Sequence, residues 1–311
     1  MAEPGMTSLI TLLLYLSQGA GVFRVLVVTG LSGEPQYAAS FARQAAALVT
    51  MAKAQWRAAD SGIIYLAENP ATAPGATGRA TRDAVLAAVA TLGAASGPDD
   101  VLLIYLAGHG SEQGDQPRFN LPGPDLSAAE LAMALGPVSK PMVVVINAAS
   151  ASGGFLKPLA GARRVVVTAT KTGFEKNATT FGEHFVRGLT SGEADADKNG
   201  RVTVAEAFQF AKAEVARGYQ STNRLMTEHA QIEDAGIGTL VNFPLIRDQA
   251  ADDPKLAPLV AERTRLETAV AALRGRKAAL DSTAYQRDLE QLLLKLAEVS
   301  QSIRAAQGKR P

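Results

Sequence analysis

Two stretches decide how this chain folds: Val101–Ser111, VLLIYLAGHGS, and Met142–Phe155, MVVVINAASASGGF. In each, an unbroken apolar run (Val101–Ala107, Met142–Asn147) gives way to small and glycine-rich residues. Continuous rather than alternating hydrophobicity is the pattern of a strand covered on both faces, as in a parallel sheet. Loops at the carboxyl ends of such strands build the sites of open α/β sheets. The glycines permit sharp turns and leave backbone amides exposed. His109 on one loop and Ser150 on the other have the chemistry of a base and a hydroxyl nucleophile.

Further apolar runs lie at Val22–Thr29, Ile63–Leu66 and Arg164–Thr168, with alanine-rich helical stretches at Ala38–Ala54 and Ala80–Ala94. Strand–helix alternation predicts the α/β class, a doubly wound and mainly parallel sheet flanked by helices with right-handed crossovers. Ser127 and Glu130 have the spacing of a capping box. Past Asp252 the pattern changes. Tyr285, Leu289, Leu292, Leu296, Val299 and Ile303 alternate steps of 4 and 3, while Leu259, Leu266, Leu273 and Leu280 recur every 7 residues with Val270 between. Thr283 with Gln286 reads as another capping box and puts a turn near 281–283. The result is a C-terminal helical hairpin, which either packs on itself or forms a homodimer through its exposed seam. The expected organisation is an apolar segment at 1–21, an α/β domain at 22–250 and the hairpin at 251–311.

Of the 311 residues, 47% are hydrophobic and 20% charged, which suits a soluble globular protein. Lysine plus arginine (31) offset aspartate plus glutamate (30), and the basic residues are scattered. No nucleic-acid partner is expected from such a distribution. The chain has 0 cysteines, which removes disulfides, thiolate metal sites and thiol chemistry. Ile10–Leu16 followed by Ser17-Gln18-Gly19-Ala20 has the form of a secretory core and cleavage region, and so points to export and a periplasmic location. The first 23 residues contain no lysine or arginine, so the alternative is a packed segment in a cytoplasmic protein. The run is too short to span a bilayer, and no transmembrane segment is expected.

An apolar strand, then Gly108-His109-Gly110-Ser111, then a second apolar strand followed by Ser152-Gly153-Gly154-Phe155, resembles the legumain-like peptidases of the caspase–hemoglobinase fold. The likeness continues through Leu156–Leu159, Arg164–Thr170 and Phe181–Leu189, about 170 residues in all. It implies a caspase-like sheet and a peptidase-type hydrolase acting on a peptide or protein. It also implies that His109 is the catalytic histidine, that the Gly110 amide serves an oxyanion hole, and that Ser150 stands where the family has its cysteine. That departure bears on the chemistry. A thiol of pKa ~8.5 is partly ionised at neutral pH, whereas a serine hydroxyl needs a base within ~3 Å, itself oriented by a third group. Glu112, Asp115 and Glu175 are candidates for that group by loop position alone. Three readings of Ser150 stand together: a working serine hydrolase, a silent pseudo-enzyme that binds a peptide or protein, and an engineered cysteine-to-serine replacement. The lack of any other cysteine argues against the last. His184 and His229 read as structural, the first on a helix face and the second without a motif around it.

A separate signal lies at 195–206. Asp195, Asp197, Asn199, Gly200 and Glu206 satisfy D-x-[DN]-x-[DN]-G-x5-E, the spacing of an EF-hand-like calcium loop. The three short side chains, the Arg201 carbonyl, Thr203 and a bidentate Glu206 would be the donors, and Gly200 permits the turn. A lone loop of this kind is expected to bind calcium weakly and to pin the helix Val204–Arg217. The plainer reading is an acidic loop ending in a Thr203/Glu206 capping box. Thr29-Gly30-Leu31-Ser32-Gly33 comes after the first strand as a phosphate loop would, but without the lysine or the third glycine of the nucleotide motifs.

Overall fold

The computed structural model of the chain describes residues 21–114, 116–196, 198, 200–234, 237–238, 241–245, 253–275, 277 and 280–307. Ile10–Leu16, Asp115, Asp197 and Asn199 lie outside the described residues. The strands are β1 Phe23–Thr29, β2 Ile63–Ala67, β3 Gly78–Arg79, β4 Val101–Ala107, β5 Gly110–Gln113, β6 Gln116–Phe119, β7 Leu126–Ser127, β8 Met142–Asn147, β9 Arg164–Thr168, β10 Arg201–Thr203, β11 Gln231–Glu233 and β12 Asn242–Pro244. The helices are α1 Pro35–Ala54, α2 Arg82–Ala94, α3 Ala128–Leu135, α4 Leu156–Leu159, α5 Phe181–Ser191, α6 Val204–Ser221, α7 Ala257–Gly275 and α8 Ser282–Gln307.

The main sheet runs β11-β9-β8-β4-β1-β2-β3. Every pairing in it is parallel except β11 on the β9 edge. Each central strand is buried on both faces because alternate side chains enter two different cores. Val25, Val27, Leu103, Tyr105, Val144 and Ile146 pack against α1, α5 and α6. Leu26, Val28, Ile104, Leu106, Val143 and Val145 face α2, α3 and α4. The sheet is therefore doubly wound, as the unbroken apolar runs require. A second sheet of three short strands, β5-β6-β7, stands beyond the carboxyl end of β4. Three-residue strands β10 and β12 pair antiparallel near the 195–206 loop.

Capping chemistry sets several helix starts. The Ser127/Glu130 box is formed in full at α3, and so is the Thr203/Glu206 box at α6. The box expected at Thr283 and Gln286 is not the cap of α8. Asp281 accepts from the Thr283 and Ala284 amides, both at 3.0 Å, so Thr283 lies inside the helix. The aspartate carboxylate outcompetes the threonine hydroxyl because it satisfies two orphan amides at once. The hairpin packs within itself: Ile303 and Val299 of the α8 seam meet Leu256, Leu259 and Val260. Among the described residues no helix is long and apolar enough to cross a membrane.

Ile104 is fully buried at the centre of β4. Replacing it by alanine is expected to lower the unfolding free energy by about 2–5 kcal/mol. Leu294→Ala, at a site 59% exposed on α8, should stay within about 0.5 kcal/mol of the parent. Urea unfolding of the two variants checks both values.

Candidate functional site

Strand order reverses between β1, which is followed by β2 on one side, and β4, which opens the other side. In open sheets that reversal leaves a crevice at the carboxyl ends of the two strands. The loop after β1 and the loop after β4 meet there. His109 directs its Nε2 to the Ser32 carbonyl at 3.1 Å. A carbonyl only accepts, so Nε2 carries the proton and, in the neutral ring, Nδ1 is the basic nitrogen. Tyr37 and Phe41 of α1 stand edge-on to the imidazole, with ring centroids 5.1 and 5.8 Å away. The ring is thus fixed by one hydrogen bond and two aromatic neighbours.

Ser150 lies just past β8, the parallel neighbour of β4, in the register Leu106 opposite Asn147. The residue is 2% exposed. The Gly110 amide donates to Ser150 Oγ at 3.3 Å. Ala151 has a left-handed φ of 52° and donates its amide to the Glu175 carbonyl at 2.8 Å. The motif glycines are explained by close approach. A Cβ on Gly110 would strike the Ser150 and Arg118 carbonyls, one on Gly153 the Lys171–Thr172 peptide, and one on Gly154 the Pro117 ring. Ser152 and Thr170 join the same loops through their hydroxyls at 3.2 Å. His109, Gly110 and Ser150 are thereby gathered at one rim. Among the described residues no hydrogen bond joins the imidazole to Ser150 Oγ.

None of the described candidate carboxylates backs His109. Glu112 lies over Gly173, where an added Cβ would overlap its Oε2. Glu175 is turned to His229, with Oε1 2.5 Å from Nδ1, and its other oxygen accepts the Lys171 amide at 2.8 Å. Asp115 is outside the described residues. The orienting group is a backbone carbonyl, which no side-chain search could identify. His229 takes its ring contact from the Glu175 carboxylate, which also accepts the His229 amide at 3.2 Å. Next to it Glu228, 2% exposed, accepts from the Thr180 amide at 2.9 Å, the Thr180 hydroxyl at 2.7 Å and the Phe181 amide at 3.1 Å. Burial pushes its pKa up, against these donors at the start of α5. His184 lies on α5 as expected, with burial holding its pKa down.

The Thr29–Gly33 loop engages a carboxylate of this chain. The Ser32 amide donates to Glu68 Oε2 at 3.0 Å and its hydroxyl does so at 2.7 Å. A carboxylate therefore takes the donors that a phosphate would need. In the 195–206 loop, Gly200 is left-handed at φ 79° and its amide donates to Asp195 Oδ2 at 2.9 Å. Glu206 Oε1 accepts the Ala196 amide at 3.2 Å, while Oε2 accepts from the Thr203 amide and hydroxyl, both at 2.8 Å. The Arg201 guanidinium points away, to Asn242 at 3.1 Å and Glu267 at 3.5 Å. Among the described residues no group of three histidine, cysteine or acidic side chains is placed to hold a metal.

The family model described as the Peptidase C13 family matches residues 84–235, a segment that contains both His109 and Ser150. No curated protein matches the chain. Among solved structures, drICE is similar at 9% identity over 71% of this chain and 91% of its own, with a TM-score of 0.40. A protein from Geobacter sulfurreducens aligns at 12% identity over 76% and 96%, with a TM-score of 0.43. Caspase-1 from Spodoptera frugiperda aligns at 10% identity over 70% and 88%, with a TM-score of 0.41. The matched segment and the strand order together support a caspase-like, peptidase-type fold.

Proposed function

We propose that the site is that of a peptide-bond hydrolase, with Ser150 as nucleophile and His109 as base. One observation carries the reading: the amide next to the histidine touches the serine hydroxyl, 3.3 Å from Gly110 N to Ser150 Oγ. Nδ1 of His109 would take the Oγ proton as Oγ bonds to the substrate carbonyl carbon. The Ser32 carbonyl accepts from Nε2 and so steadies the imidazolium formed. On attack, the Gly110 amide transfers its hydrogen bond from Oγ to the developing oxyanion. The imidazolium then protonates the departing amine, and water repeats the sequence to release the acyl group. General-base help is worth roughly 10²–10⁴-fold and one oxyanion donor about 10²–10³-fold.

A second reading has its own support. Ser150 Oγ is engaged by an amide rather than by the imidazole, and a serine unassisted by a base is inert. On that reading the crevice holds a peptide without cutting it. A fluorophosphonate probe separates the two. Labelling at Ser150, abolished by Ser150→Ala and by His109→Ala, is the expected result; an unlabelled parent chain that turns over no peptide would sink the hydrolase. Ser150→Cys installs the sole thiol of the chain, with a thiolate pKa expected below the ordinary ~8.5 beside an oriented imidazole. Iodoacetamide alkylation against pH measures it.

We also propose that the 195–206 loop takes one calcium ion. Asp195 and Glu206 bring the two ends of the loop together, each accepting a loop amide. They would hold the ion with Asp197, Asn199, Thr203 and the Arg201 carbonyl. Affinity in the ~10⁻⁴–10⁻³ M range is expected. Calcium at tenfold above Kd should then raise stability by about 1.4 kcal/mol. Equal magnesium should do nothing, and Glu206→Gln should remove the effect. Thermal unfolding that is indifferent to calcium would refute the site.

A further inference from the structure

We infer that Glu68 is a positioning residue for His109, acting through Ser32; this rests on His109 being the base of the proposed site. Glu68 comes directly after β2, and β2 pairs with β1 in the register Thr29 opposite Ala67. Its carboxylate therefore reaches across the strand ends to the loop that leaves β1. One oxygen, Oε2, accepts both from the Ser32 amide at 3.0 Å and from the Ser32 hydroxyl at 2.7 Å. The Ser32 carbonyl accepts twice, from the Glu34 amide at 2.8 Å and from His109 Nε2 at 3.1 Å. Ahead of Ser32 the loop is tied by backbone bonds, the Gly30 amide to the Ala107 carbonyl and the Leu31 amide to the Asn120 carbonyl. Glu68 supplies the side-chain anchor at Ser32 itself.

The consequence is chemical as well as mechanical. The direction of one peptide carbonyl decides which imidazole nitrogen carries the proton, and hence which one is free to act as base. Without Glu68 the Ser32 carbonyl keeps the Glu34 amide, but the residue that carries it loses its amide and hydroxyl anchors, and the aim of the carbonyl at Nε2–H is no longer fixed.

The test reads the ring directly. The chain has 3 histidines, so 15N-labelled full-length protein gives three imidazole signatures, and His109→Gln identifies the one sought. The parent is expected to show a neutral ring with Nε2 protonated and Nδ1 bare. Glu68→Ala should lose that single tautomer. So should Glu68→Asp, which keeps the charge but withdraws it by one methylene, and which serves if the alanine variant fails to fold. Glu68→Gln should retain the parent signature, because its amide oxygen can accept both Ser32 donors. In the Ser150→Cys background, thiol alkylation at neutral pH should fall about tenfold with Glu68→Ala and recover with Glu68→Gln. A His109 signature unchanged in both Glu68→Ala and Glu68→Asp overturns the inference. An absence of Ser150 labelling with the tautomer still dependent on Glu68 would instead remove the hydrolase and leave the positioning role.

Discussion

The parallel pairing of β4 with β8 is the constraint on which the site depends. Val101 to Leu106 lie opposite Met142 to Asn147, with side chains buried on both faces of the sheet. His109, two positions past the end of β4, and Ser150, three past the end of β8, are then carried to one rim. A slip of one residue would displace one loop by roughly 3.3 Å and send every side chain of the strand into the wrong core. The 3.3 Å contact between the Gly110 amide and Ser150 Oγ could not survive it. Hydrophobic burial far below the site thus places its two loops, and the bonds within it set the orientation of the ring.

The second determinant is the group that backs the imidazole. A neutral carbonyl orients His109, whereas the acid–histidine pair of the neighbourhood, Glu175 with His229, adjoins the Ser150 loop, where the Glu175 carbonyl accepts from the Ala151 amide. A carbonyl fixes a tautomer without adding the field of a full negative charge, so it raises imidazole basicity less than a carboxylate does. That arrangement suits a nucleophile that is easily deprotonated. It asks more of a serine, whose proton has to leave to a base during the attack.

Length and burial determine how much of this was legible in the chain. The runs at 101–107, 142–147 and 164–168 became strands with those boundaries because apolar continuity over five or more residues admits few other structures. The rim around the site was less legible. β5, β6 and β7 are two to four residues long, too short for any periodicity to register. β11, which adds to the sheet edge just past Glu228 and His229, is three residues long, so nothing marked that dipeptide as part of the loop cluster. Ser32 was unreadable for a different reason. Its contribution is a backbone carbonyl, and every residue has one.

The motif glycines answer to a different requirement from the histidine and serine beside them. Gly110, Gly153 and Gly154 are each required because another segment comes too close for a Cβ: the Ser150 and Arg118 carbonyls, the Lys171–Thr172 peptide, the Pro117 ring. They would be required whether the chain cuts peptides or merely binds them. G-H-G followed by S-G-G-F is therefore largely a statement about how four loops converge, which is why it reports the fold so well. The proposed chemistry rests on fewer atoms: Nδ1 of a ring held at Nε2, the Gly110 amide on Oγ, and the hydroxyl itself. A fold can keep all its glycines while the reaction is lost at a single oxygen. The motif and the proposed activity are therefore separable. Substitutions at Gly153 or Gly154 bear on stability and loop placement, while those at His109 and Ser150 bear on the proposed reaction.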